Sequence, residues 1–222
     1  MFRNLIFDWS GTLVDDLGPV IEATNQVLEK YEIAALDRES FRRSFRLPYS
    51  EFYAELLPDI SLGELETHFR PAFEAALAPV TVLPHAREKL EWCHKLGIRC
   101  FVLTSMDTIA FERQMDDFQL RHYFEATYSS VLDKRELIHQ ILETHRLHPT
   151  ETAFVGDMTH DVETAQHGGI FSIAVLTGYN HAEVLAASRP DLTVADLSML
   201  RDWLEHRRHE SGSMSPLNSR PE

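Results

Sequence analysis

Leu5-Ile6-Phe7 is an unbroken apolar run of the length a buried strand takes, and it predicts a strand over residues 3–8. Behind it, apolar positions recur at helical spacing over Pro19–Tyr31, Arg38–Phe45, Ser50–Leu57 and Leu62–Leu77, with Pro48, Pro58 and Pro79 as breaks. Ser61 followed by Glu64 reads as a helix N-cap with the acid of a capping box. No strand pattern interrupts these helices. After Val80 the rhythm changes to alternation, with strands expected at Ile98–Leu103, Ala126–Ser129, Ala153–Val155 and Phe171–Leu176. Between and after them helices are expected at His85–Leu96, Thr108–Phe118, Lys134–His145, Asp161–His167 and His181–Ser188. Such alternation predicts an α/β, Rossmann-like parallel sheet covered by helices on both faces. A sheet of that kind keeps its site outside the carboxyl ends of its strands, where a helical block inserted after strand one would lie as a cap. The expected division is therefore a core of residues 1–15 and 84–206, a helical cap of residues 16–83, and a polar, flexible tail of residues 207–222.

Composition narrows the partners. The 222 residues are 44% hydrophobic and 25% charged, which is ordinary for a globular protein, and no apolar run reaches the length of a membrane span. The chain enters a strand almost at once without a basic-then-apolar leader, so a cytoplasmic protein is expected, monomeric or homodimeric. A net charge of −14 repels nucleic acid and anionic membrane surfaces, and both are excluded as expected partners. Cys93 and Cys100 fall in a predicted helix and a predicted strand, which supports neither a disulfide framework nor a zinc site and leaves two buried thiols.

Reactive side chains gather where strands are expected to end. They are Asp8, Thr104 with Ser105, Lys134 at a helix start, and Gly156-Asp157 with Asp161 one helical turn on. Carboxylates converging from two strand ends make a hard, oxygen-rich site suited to magnesium rather than zinc. Hydroxyl and ammonium donors beside them would hold a phosphoryl group while one carboxylate attacks phosphorus.

Asp8-Trp9-Ser10-Gly11-Thr12 resembles the opening motif Asp-x-Asp-Gly-Thr of the haloacid dehalogenase-like hydrolases, with Ser10 standing where the second aspartate is usual. Thr104, Lys134 and Gly156-Asp157 through Asp161 follow in that family's order across residues 1 to about 200. Thr177-Gly178-Tyr179-Asn180-His181, Arg189-Pro190-Asp191 and Ala195-Asp196-Leu197 look like the C-terminal part of phosphoglycolate phosphatase-like members. The resemblance implies that Asp8 is the nucleophile and that Thr104, with Ser105, binds phosphoryl oxygens. Lys134 would steady nucleophile and phosphate, while Mg²⁺ would be held by Asp8, Asp157, Asp161 and the backbone carbonyl of Ser10. Ser10 and Gly11 would also border a small phosphorylated metabolite, and Arg46, beside a proline turn of the cap, is expected to meet its anionic tail.

Ser10 changes what activity the resemblance implies. In the family's phosphatases the aspartate at that place protonates the leaving oxygen and activates water, a contribution of about 10² to 10⁴ in rate. Serine has no accessible pKa for that work. A slow or narrowly specific phosphatase is therefore expected, with an inactive phosphate-ligand binder as the alternative. A phosphonate hydrolase using the cap's Lys30 as a Schiff base is less favoured. Asp15 and Asp16 are expected to be helix-start residues, His160 a surface or loop histidine, and Arg42 and Arg43 part of a solvated basic face.

Overall fold

The computed structural model describes residues 2–76 and 79–213. Six parallel strands form the main sheet: β1 (Asn4–Phe7), β4 (Arg99–Leu103), β5 (Ala126–Tyr128), β6 (Thr152–Gly156), β7 (Phe171–Val175) and β8 (Leu192–Val194). Their order is β5-β4-β1-β6-β7-β8, so β1 is central and the chain leaves it in both directions. Each of Asn4 to Phe7 pairs on one side with Arg99 to Val102 and on the other with Thr152 to Val155. That reversal of strand order opens a crevice at the carboxyl end of β1, directly beyond Phe7.

The sheet is apolar on both faces because helices cover both. Leu5, Phe7, Val102 and Val155 pack on one side with Leu90, Phe111 and Leu200, whereas Ile6, Phe101, Leu103 and Phe154 pack on the other with Ile138 and Ile141. The covering helices are α5 (Ala86–Lys95), α6 (Thr108–Asp117), α7 (Arg135–Thr144), α8 (Thr159–His167), α9 (Ala182–Ala187) and α10 (Leu197–Ser213).

Between β1 and α5 the chain crosses a two-stranded antiparallel neck, β2 (Val14–Asp15) against β3 (Thr81–Val82). Four helices lie on its far side: α1 (Leu17–Lys30), α2 (Arg38–Ser44), α3 (Tyr49–Leu56) and α4 (Leu62–Ala75). They share an apolar cluster of Leu17, Val27, Leu28, Phe41, Phe52, Tyr53 and Leu65, which Met158 and Tyr179 of the core complete. Ser61 caps α4, its hydroxyl accepting from the Glu64 amide.

The neck, β8 and α10 were not expected from the apolar rhythm. Two-residue strands carry too few positions to show a period, and β8 is only three residues long. The tail expected from Arg207 is helical as far as Ser213, because Leu197, Leu200 and Leu204 anchor α10 in the core ahead of its polar end. Residues 214–222 and the expected helix end at Leu77 lie outside the described residues.

Candidate active site

Strand β1 delivers Asp8 into the crevice, and the loop that follows is held from both sides. The Gly11 amide donates to Val14 O at 2.7 Å and the Leu13 amide to Trp9 O at 2.8 Å, closing a tight turn that Gly11 enters at φ +74°. Trp9 is fully buried and its indole N–H donates to Gln114 Oε1 at 2.7 Å, which anchors the loop on α6. Gly11 is required for a second reason: a Cβ there would come within 2.4 Å of Asp157 Oδ2. Gly178 guards the opposite side, where a Cβ would lie 2.0 Å from the same oxygen. The Gly11 amide is thus engaged in the turn, and the residue, expected to border a substrate, shapes the seat of Asp157 and does not line the cleft that holds Asp8.

Asp8, Asp157 and Asp161 each place a carboxylate oxygen within 4.8 Å of the others. Asp157 is held by Thr12 Oγ1 and by the Tyr179 amide, both at 2.7 Å. Asp161 Oδ2 accepts the amides of Asp157 and Met158 at 3.1 and 3.0 Å, fixing the start of α8. Lys134, wholly buried, reaches Asp8 at 2.8 Å and Asp161 at 2.6 Å. Three carboxylates against one ammonium leave two negative charges in a buried space, which is the deficit a divalent cation cancels. An all-oxygen donor set fits magnesium.

Burial pushes the Asp8 carboxyl up to about 6, with Lys134 pulling it down and Asp161 adding to the rise. Asp157 is raised well above the usual range by burial and by the neighbouring Asp8 and Asp161. Burial alone would lower the Lys134 ammonium, but Asp161 and Asp8 reverse the sign and raise it. The carboxyl shifts come chiefly from burial, and the Lys134 shift from the excess of carboxylates around it.

His160 is neither on the surface nor loose. It is buried on α8, its Nε2 accepts the Lys134 amide at 3.0 Å, and burial followed by the Lys134 charge lowers it to about 4. A neutral imidazole therefore positions the backbone of Lys134. Arg135, the neighbouring cation, turns outward to Asp133 and Glu163.

Thr104 follows β4 and is buried, its hydroxyl accepting the Met106 amide at 3.2 Å, and with Ser105 it lines a cleft of about 1020 Å³ that also contains Asp8 and Ser10. Asp16 lines the same cleft and was not singled out. It occupies the N-cap of α1, yet its side chain makes no cap bond. Instead it accepts Ser10 Oγ–H at 2.6 Å and Tyr179 O–H at 2.8 Å. Burial raises its carboxyl to about 6, against the lowering effect of those two hydrogen bonds. A serine in place of an acid at position 10, together with a second acid after Asp15, was the available signal.

The cap arginines are arranged differently from expectation. Arg46 pairs with Glu51 at 3.8 Å and with Glu55, and it does not border the cleft. Acids on α3 take the charge that was assigned to a substrate tail. Arg42 is no solvated residue: its guanidinium donates to the carbonyls of Gly178, Leu176 and Asn180 at 2.8, 3.3 and 3.1 Å. Arg43 meets Glu183 on the core at 2.6 Å. Lys30 contacts His68 at the exposed end of α1, outside the cleft, so among the described residues no cap lysine lines the cleft as a phosphonate hydrolase would need.

Residues 5–175 match the family described as haloacid dehalogenase-like hydrolase. The chain belongs to this family. Among curated relatives, a phosphoglycolate phosphatase of Pseudomonas fluorescens is 25% identical over 212 residues, covering 89% of this chain and 78% of that protein. Another from Synechococcus elongatus is 25% identical over 205 residues, covering 85% and 91%. Among solved structures, a haloacid dehalogenase-like family hydrolase of Streptococcus pneumoniae superposes with a TM-score of 0.77 at 21% identity, covering 91% of this chain and 98% of that one. A hydrolase of Pseudomonas syringae gives 0.78 at 18% identity, covering 92% and 98%. Asp8, Thr104 and Asp157 stand just past the carboxyl ends of β1, β4 and β6. No helix among the described residues is long and apolar enough to cross a membrane.

Proposed function

We propose that this hydrolase is a Mg²⁺-dependent phosphatase of small phosphate monoesters, working through an aspartyl phosphate on Asp8, with Asp16 and Ser10 together handling the protons. The observation that carries this reading is the Asp16 carboxylate, 2.6 Å from the Ser10 hydroxyl in the cleft that holds Asp8. Asp8, Asp157, Asp161 and the Ser10 carbonyl are the residues that would hold the metal. A bound magnesium ion supplies charge neutralisation at the transferring phosphoryl group.

Asp8 attacks phosphorus, and the departing alcohol oxygen receives the Ser10 hydroxyl proton as Asp16, protonated at that moment, replaces it. Water then attacks the aspartyl phosphate, passing its proton to Ser10 as Ser10 returns one to Asp16; phosphate leaves and Asp8 is restored. A carboxyl titrating at about 6 is available in both forms near neutral pH, which suits a group that must give and take a proton. Lys134 holds Asp8 in place and offsets its charge, while Thr104 and Ser105 border the phosphoryl position. Phosphoglycolate, the substrate named in the relatives, is one candidate among small esters.

Loss of the acid at position 10 favours a second reading, a phosphate-ligand binder without turnover, and the presence of Asp16 counts against it. The test is phosphate release from a panel of esters with and without Mg²⁺. Wild type should turn over only with the metal, Asp8→Asn should be inactive, and Asp16→Asn should lose about 10² to 10⁴ in kcat for alkyl esters. Silence from wild type across the panel, with turnover gained by Ser10→Asp, would establish the binder instead.

A further inference from the structure

We infer that the ester this hydrolase is built for has an apolar or aromatic alcohol part and no second negative charge, which sets it apart from phosphoglycolate. The inference rests on the phosphatase reading and concerns the remainder of the same cleft. Beyond Asp8, Ser10 and Asp16 the cap side of the cleft is lined chiefly by Val20, Phe45, Leu47, Leu65, Phe69 and Phe73, and the hydroxyls on that side are already bonded, Tyr49 to Glu66 and Thr24 with Tyr53. A carboxylate seated against such a wall loses hydration and gains little in return.

Charge at the cleft points the same way. Three arginines of the cap are committed: Arg42 to three backbone carbonyls, Arg43 to Glu183, and Arg46 to Glu51 and Glu55. Among the described residues only Arg70 and Arg113 bring positive charge to the cleft border, and acids face both, Asp107 at 3.7 Å and Asp117 at 3.8 Å. Glu66 and Glu74 border the cleft as well. Past the phosphoryl position, then, acids outnumber bases, and a second anion is repelled while a neutral body is not.

The core lip carries the complementary feature. Ile109, at the first turn of α6, is 79% exposed, and Leu132, just before α7, is 45% exposed. Both border this cleft, and neither is used by the fold's packing. With the cap phenylalanines they line the same cleft of about 1020 Å³ that holds Asp8, ample for an aromatic body.

Calorimetric binding to full-length Asp8→Asn in Mg²⁺ tests this without requiring turnover, using inorganic phosphate, phosphoglycolate and benzyl phosphate as probes. Benzyl phosphate should bind at least about tenfold more tightly than phosphoglycolate, a difference of about 1.4 kcal/mol. Phe69→Arg should narrow or invert that ratio by weakening the aromatic ester and strengthening the acid. Phosphoglycolate binding as well as benzyl phosphate, with inorganic phosphate also bound, overturns the substrate class and leaves the phosphatase reading standing. Failure of all three probes to bind overturns both.

Discussion

Replacing Lys134 by methionine keeps most of the side chain's length and removes its charge, which tests chiefly what that charge does. In the native protein the ammonium is wholly buried, 2.8 Å from Asp8 and 2.6 Å from Asp161, with Asp157 a further carboxylate of the cluster. Without it the carboxylates have no compensating cation. Removing one partner from a buried charge cluster costs about 3–5 kcal/mol. For a chain of this size each kcal/mol moves Tm by about 2–4 °C, so Lys134→Met should melt about 6–20 °C below wild type. The assay is scanning calorimetry at neutral pH with a chelator present, repeated with Mg²⁺ and again near pH 4. The deficit should shrink in Mg²⁺, since a divalent cation replaces part of the missing charge. It should also shrink near pH 4, because Asp8, raised to about 6, is protonated there and needs no cation. A variant as stable as wild type in chelator at neutral pH would refute the claim that three carboxylates lean on one ammonium.

The pH dependence of Asp16 can be isolated by difference. Its carboxyl is raised from 3.8 to about 6 on folding, so its favourable contribution is complete below 3.8 and is lost as pH rises through about 6. Urea unfolding should therefore show Asp16→Asn gaining about 3 kcal/mol relative to wild type between those limits, and a flat difference would contradict the raised pKa. Gly178→Ala should push a methyl into the Asp157 carboxylate, 2.0 Å from its Oδ2, and weaken Mg²⁺ binding by about tenfold or more in titration calorimetry. Arg42→Ala removes charged donors from three carbonyls of the 176–180 loop and should cost about 2–3 kcal/mol in denaturant unfolding, with Arg43→Ala, an exposed pair, costing under about 1 kcal/mol.

Sequence rhythm disclosed the larger architecture because long elements repeat their pattern. Helices α1 to α4 and strands β1, β4, β6 and β7 carry enough apolar positions to declare a period, and the two faces of the sheet follow from it. Strand-end chemistry was equally legible: Asp8, Thr104 and Asp157 stand just past apolar runs, and a parallel sheet gathers such ends at one edge. Long-range partner choice was not legible. Arg46 looked free until α3 brought Glu51 and Glu55 to it, and Arg42 looked solvated until the 176–180 loop offered its carbonyls. His160 was one histidine among 12, distinguished only by the Lys134 amide that folding places against it.

Asp16 is the instructive omission. An acid at a helix start ordinarily caps it, and only the missing acid at position 10, beside the paired Asp15 and Asp16, hinted otherwise. The neck turns this one back toward Ser10, and Tyr179, 163 residues away in sequence, completes its bonding. Ser10 alone therefore implied a lost acid, whereas Ser10 with Asp16 restores a carboxylate to the same cleft.

Acid-quenched mass spectrometry of Asp16→Asn turning over p-nitrophenyl phosphate in Mg²⁺ tests the central claim most directly. This leaving group departs without protonation, so the first step survives while the water step is slowed. A phosphorylated peptide at Asp8 should accumulate in Asp16→Asn, be scarce in wild type and be absent in Asp8→Asn. Steady phosphate release by Asp16→Asn at the wild-type rate, with Asp8 unmodified, would contradict both the nucleophile and the proton path.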